Sequence, residues 1–140
     1  MQSKMIAFAV VAAAGTGALA QNIEVTFENL QAPGGLSFTP LWLGLGDGSF
    51  DVFTPGSSSE TPAFDGITQI AEVGDTAAIT SRFDAEQAAG SQTTLLEPNG
   101  PPVFSPGESA TATLNSSDAS IYRFLNFASM VVPSNDLFVG

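Results

Sequence analysis

From Ile23 to Glu28 the chain alternates without a break: Ile23, Val25 and Phe27 fall on one face, Glu24, Thr26 and Glu28 on the other. A period of two predicts a strand with one buried and one wet face. Ala32-Pro33-Gly34-Gly35 reads as a turn, and Leu36 to Leu43 (LSFTPLWL) as the next extended run. Pro40 inside that run cannot donate to a ladder, so it marks an edge position or a bulge. Gly44-Leu45-Gly46-Asp47-Gly48 predicts a glycine-rich loop leading into an extended Ser49 to Phe53, and Thr54 to Thr61 a Pro/Ser loop. The period then changes. Ile67, Ile70 and Ala71 share one helix face, and Asp75-Thr76 opens a second helix through Ala89 that Gly90 caps. Extended character resumes over Thr93 to Leu96, breaks at Pro98-Asn99-Gly100-Pro101-Pro102, and returns in Glu108 to Leu114, where small and polar residues alternate. Tyr122 to Val132 (YRFLNFASMVV) is the most apolar run and predicts the central strand. Short strands, Gly/Pro turns and one helical excursion around Gly66 to Ala89 predict a mainly β fold, a β-sandwich with a small helical insertion.

The first twenty residues fit a different purpose. Lys4 precedes the apolar run Met5 to Ala14, and Ala18-Leu19-Ala20 supplies a small-x-small site. These are the parts of a secretory signal peptide, and the run falls short of the ~20 residues that span a bilayer. The expected organisation is a signal peptide over 1–20 and one domain over 21–140. The mature form is expected to begin at Gln21, to have no transmembrane segment and to be secreted or extracellular, with a periplasmic or surface-associated location as the alternative.

Composition narrows the chemistry. Fourteen acids face three cations in 140 residues, for a net charge of −11, with no His and no Cys. That excludes a Ser-His-Asp triad, a thiol nucleophile, a zinc finger and a disulfide framework. Beyond residue 20 there is no lysine for a Schiff base or P-loop, and two arginines (Arg82, Arg123) cannot build a nucleic-acid surface. An acidic surface favours cations and keeps the chain soluble.

Four blocks in this order carry a resemblance. They are Phe38-Thr39-Pro40-Leu41, Gly46 to Phe53 (GDGSFDVF), Ile70 to Thr76 (IAEVGDT) and Ala128 to Gly140 (ASMVVPSNDLFVG). Together they resemble spondin domains, the N-terminal domains of F-spondin and mindin extracellular-matrix proteins, found also in secreted bacterial proteins. The resemblance spans nearly all of Ile23 to Gly140. It implies a C2-like antiparallel β-sandwich, a calcium ion near one end, and adhesion to an extracellular protein or glycan rather than catalysis. Of the family's metal-binding acids only Asp136 transfers to this sequence. The family also continues through a Trp/Tyr-Asp-Ala-Gly-Thr segment, so the domain is expected to be incomplete at Gly140, where Leu137-Phe138-Val139 begins an unfinished apolar element. The alternative is that these last residues form a short edge strand.

Each candidate site has a plainer reading beside it. Calcium takes six to eight oxygens. Asp136, with Asn135 or Ser134, could supply some of them, or Asp136 could simply close an Asx-type turn. Asp47, Ser49 and Asp51 stand at the first, third and fifth positions of an EF-hand-like loop, but Val52 replaces the required Gly and Ser58 the terminal Glu. An Asp-Gly turn accounts for Asp47 and Gly48 more simply. A glycosidase pair at Asp47 and Asp51 would lie about 13 Å apart on a strand at ~3.3 Å per residue, beyond the ~5.5 Å or ~10 Å such enzymes use. Trp42 and Tyr122 could stack on sugar, although their apolar flanks predict core packing. Asn115-Ser116-Ser117 matches a glycosylation sequon and predicts a surface loop. The leading expectation is a secreted, non-catalytic adhesion or matrix-type module that binds calcium. Its rivals are a carboxylate-based surface or periplasmic hydrolase, and an exported structural β-domain without metal.

Overall fold

The computed structural model describes residues 20–56, 66–100 and 103–140, together with the backbone of 7–12. Ala18 and Leu19 of the expected signal-peptide site, most of the Pro/Ser loop before Gly66, and Pro101-Pro102 lie outside the described residues. The described chain is mainly β. Eight strands run β1 (Ala7–Ala12), β2 (Gln21–Glu28), β3 (Ser37–Phe38), β4 (Leu41–Gly46), β5 (Ser91–Leu95), β6 (Ser109–Ser116), β7 (Phe124–Val132) and β8 (Phe138–Val139). Helices α1 (Ile67–Val73) and α2 (Ala77–Glu86) fall between β4 and β5. All strand pairings are antiparallel. One sheet has the order β1-β2-β6; in the other, β7 pairs with β3, β4 and β8, and β4 with β5.

Alternation decides which faces meet. Val25 and Phe27 of β2 and Leu114 of β6 pack against Leu41, Leu43 and Leu45 of β4, together with Phe38, Leu95, Phe104 and Val131. This is the core of a two-sheet sandwich, and Phe27 centres it with edge-to-face contacts to Phe38 and Phe104 at ring distances of 5.7 and 5.0 Å. The predicted strands over Ile23–Glu28 and Glu108–Leu114 are present, with their polar residues outward. The run ending at Val132 is central, with three strands paired to it.

The second face of the larger sheet is also covered. Trp42 and Ala128 point away from the sandwich and pack with Phe50, Val52, Ile67, Ile70, Ile79 and Phe83. Every residue of β4 is therefore buried. This corrects the expectation that Gly44 to Gly48 forms a loop: Gly44 and Gly46 belong to β4, and the turn begins only at Asp47. A Cβ on Gly44 would stand 2.6 Å from the Trp42 ring and 2.8 Å from Phe83, so glycine is present for packing, not for bending. Ser49 to Phe53, expected to be extended, is irregular and lays Phe50 and Val52 into the helical layer.

Of the two readings of Pro40, an edge position or a bulge, the bulge is the one realised. Phe38 faces Val131 and Trp42 faces Ala128, so Thr39, Pro40 and Leu41 stand opposite Ser129 and Met130 alone. Side chains serve the disrupted ladder: the buried Ser129 hydroxyl donates to the Thr39 carbonyl at 2.8 Å, and the Met130 N–H donates to Thr39 Oγ1 at 3.0 Å.

Both predicted helices exist and are short. Gly74 ends α1 in the left-handed region (φ 70°), its N–H bonding to the Ile70 carbonyl while Asp75 N–H reaches Gln69. Asp75 Oδ1 then accepts the Ala77 N–H at 2.9 Å and opens α2. The second helix stops at Glu86, short of Ala89, and Gln87 rather than Gly90 occupies its C-terminal cap. No helix among the described residues is long and apolar enough to cross a membrane.

Candidate functional site

Glu24 and Glu28 lie on β2, Glu72 on α1, and Asp84 and Glu86 on α2; the other described acidic residues stand in turns and loops. Asp47 Oδ1 accepts both the N–H and the hydroxyl of Ser49, at 2.9 and 2.7 Å. Gln87 completes this turn: its Oε1 accepts the Asp47 N–H and its Nε2 donates to Ser49 Oγ. The Ser49 hydroxyl, then its N–H, then the Gln87 amide hold the Asp47 carboxyl below its ordinary value, because each stabilises the charged form. Asp118 repeats the arrangement with Ser120 and is lowered for the same reason. Asp51 Oδ2 accepts the Thr54 hydroxyl, Glu97 accepts the Asn99 N–H, and Glu108 accepts the Ser105 N–H. Of the EF-hand-like trio, Asp47 and Ser49 bond to each other and Asp51 turns to Thr54. The plainer Asp-Gly turn reading is the one realised, except that no strand follows it.

The turn carrying Asp136 follows the cis Val132–Pro133 bond. Ser134 organises it: its hydroxyl donates to the Val131 carbonyl and accepts the Leu137 N–H at 3.3 Å. Asp136 and Asn135 are exposed beside it. Phe138 and Val139 then pair with Met130 and Ser129 as the short strand β8, and Phe53 meets Phe138 edge-to-face at 5.0 Å. Among the described residues no group of three or more acids stands close enough to hold a metal ion.

The two candidate sugar platforms separate. Trp42 is fully buried, its indole N–H donating to Gln92 Oε1 at 2.7 Å and its ring meeting Phe83 at 5.4 Å. Tyr122 is not in the core. It is half-buried in the turn before β7, where its N–H bonds to the Asp118 carbonyl and its own carbonyl accepts the Ser116 hydroxyl. Asn115 of the sequon lies on the exposed face near the end of β6, not in a loop.

Asn29 and Arg82 are among the buried polar residues whose burial the sequence reading missed. Asn29 is fully buried: Nδ2 donates to the carbonyls of Leu36 and Phe104, each at 2.9 Å, and Oδ1 accepts the Gln31 N–H. Arg82 lies under the loop after β4, donating to the Asp51 carbonyl at 2.6 Å and approaching Glu86 at 3.6 Å. The Asn29 signal was faint, a lone amide two residues past an apolar strand position. Arg82 had a stronger one, the sole cation on an otherwise apolar helix face.

A cleft of about 500 Å³ opens where β2 and β6 meet the link from α2 to β5. Gln21, Asn22, Ser91, Asn115 and Ser117 line it with amides and hydroxyls, and Ala20 stands at its rim. Its lining bears no charged side chain, so it offers hydrogen bonds to a neutral polar partner. No family model, curated protein or solved structure matches the chain.

Proposed function

We propose that this chain is a secreted, non-catalytic β-sandwich module that binds an extracellular protein or glycan through its surface. The observation that carries this reading is the use made of the carboxylates. Asp47, Asp51, Asp75, Glu97, Glu108 and Asp118 each accept hydrogen bonds from their own loop, which makes them turn-forming groups. A hydrolase of the paired-carboxylate type needs two such groups facing one substrate atom. The resemblance to spondin domains supports the adhesive reading, and the sandwich is the architecture such a domain would have. The cleft beside Asn22 and Asn115, which cleavage after Ala20 would leave next to the new α-amino group of Gln21, is the first surface to probe.

Calcium is the separable part of the proposal. Asp136 is exposed and its turn is already closed by Ser134, so its carboxylate is open to a cation, but one carboxylate holds calcium weakly against water. The experiment is a binding screen of the exported protein on glycan and matrix-protein arrays. It is run with and without calcium, on the wild type and on Asp136→Asn, beside a panel of chromogenic glycosides. Saturable binding without turnover supports the module. Binding that needs calcium and is lost in Asp136→Asn supports the metal. Turnover that disappears on carboxylate substitution would replace the module by the hydrolase, and no retained ligand on either array would favour the structural domain.

A further inference from the structure

We propose that the outer edge of β2 is an interface between two copies of the processed chain, formed by β2 pairing antiparallel with β2 of a second copy about a two-fold axis at Val25. In the full chain β1 occupies this edge, pairing residue by residue from Ala7 against Glu28 to Ala12 against Ile23. All of β1 lies inside the segment expected to be removed on export, so the inference rests on that cleavage. Without β1, an eight-residue strand is left with β6 on one side only. An unpaired edge of that length is a template for another strand.

The direction of the backbone groups is set by the next residue. Asn29 donates its N–H to the Glu108 carbonyl and accepts the Gly107 N–H, both on the β6 side. Odd-numbered residues of β2 therefore turn their backbone toward β6, while Asn22, Glu24, Thr26 and Glu28 turn theirs outward.

The side-chain pattern then selects one symmetric register. With Val25 on the axis, Glu24 of one copy faces Thr26 of the other, and Asn22 faces Glu28. No two carboxylates are opposed. On the inner face Ile23 meets Phe27, which continues the apolar layer across the axis. Slipping by two residues sets Glu24 against Glu24 in one direction and Glu24 against Glu28 in the other, and facing like charges are destabilising. Slipping by one residue would turn the apolar set to solvent. The edge is thus its own complement in the register that pairs the most residues without opposing carboxylates, which is what an isologous two-fold contact requires.

The test uses protein purified after export, its N-terminus read by mass spectrometry and its mass by light scattering over a concentration series. The processed protein is expected to be a dimer. Glu24→Pro removes an outward N–H and leaves the β6 ladder intact, so it should give a folded monomer. Thr26→Glu places a carboxylate opposite Glu24 and should also give a monomer, with the dimer restored in high salt as the charges are screened. Glu24→Gln should keep the dimer and serves as the folding-neutral control. A processed protein that is monomeric throughout overturns the proposal, as does a dimer indifferent to both disruptive variants. A purified protein that retains Met1 overturns it at the premise. Retention of Met1 would also count against secretion; the other outcomes bear neither on secretion nor on ligand binding, so they are distinct from failure of the module reading.

Discussion

The guanidinium of Arg82 lies 4.2 Å from the centre of the Phe50 ring, and its Nη2 donates to the Asp51 carbonyl. One side chain from α2 thus fastens the irregular segment after β4 onto the helical layer. The cation is enclosed by the ring, the carbonyl and Glu86, which together offset the cost of burying it. Arg82→Ala removes these contacts together, and we expect it to lower stability by about 2–4 kcal/mol in urea unfolding. Arg82→Lys should recover only part of this, since an ammonium cannot both lie flat on Phe50 and reach Asp51. A change within experimental error for the alanine variant would show that the loop is held by Phe50 and Val52 alone.

Asn29 ties the turn after β2 to Phe104 with a side chain that both donates and accepts. Asn29→Asp is nearly isosteric but leaves the Leu36 and Phe104 carbonyls without a donor and introduces a buried charge. The expected cost is about 3 kcal/mol or more near neutral pH. Because a protonated acid can again donate one hydrogen bond, the deficit relative to wild type should shrink as the pH falls. A deficit constant with pH in chemical denaturation would refute this account.

Gly44 tests the packing of the two-faced strand. Gly44→Ala drives a methyl group into the Trp42 and Phe83 rings. We expect a loss of about 1–3 kcal/mol from overpacking and a change in Trp42 fluorescence, because the indole must shift against Gln92. Equal stability with an unchanged emission spectrum would mean that the rings yield without cost.

The Asp47 and Asp118 turns give a pH dependence of known sign. Both carboxyls are held below the ordinary 3.8 by their Ser49 and Ser120 hydroxyls, so the folded chain binds those protons more weakly than the unfolded chain. Their contribution to stability is complete well above 3.8 and is lost as pH falls through the folded values. Carbon-detected NMR titration should find both midpoints depressed. Ser49→Ala should raise that of Asp47 while leaving Asp118 in place. A joint movement of the two would contradict the local origin of the shifts.

The alternation in Ile23–Glu28 and Glu108–Leu114 determined by itself that these segments are strands with one buried face, because a period of two puts every second side chain on the same side. The helical excursion was legible from Ile67, Ile70 and Ala71, and Pro40 limited its own place to an edge or a bulge, since each rests on backbone chemistry local to a few residues. Gly44 was misread for the opposite reason. A glycine between leucines looks like the start of a loop until Trp42 and Phe83 are packed over it. Tyr122 shared its apolar flanks with Trp42, yet only the placement of the helical layer buries one ring and leaves the other at the surface. The spacing of Asp47, Ser49 and Asp51 could suggest a metal loop or a turn. Gln87, forty residues away, completed the turn by serving the Asp47 N–H and the Ser49 hydroxyl together. Local periodicity reports what each strand or helix must bury. Which side chains then meet depends on long-range packing, and it was the tertiary structure that assigned the carboxylates to their loops.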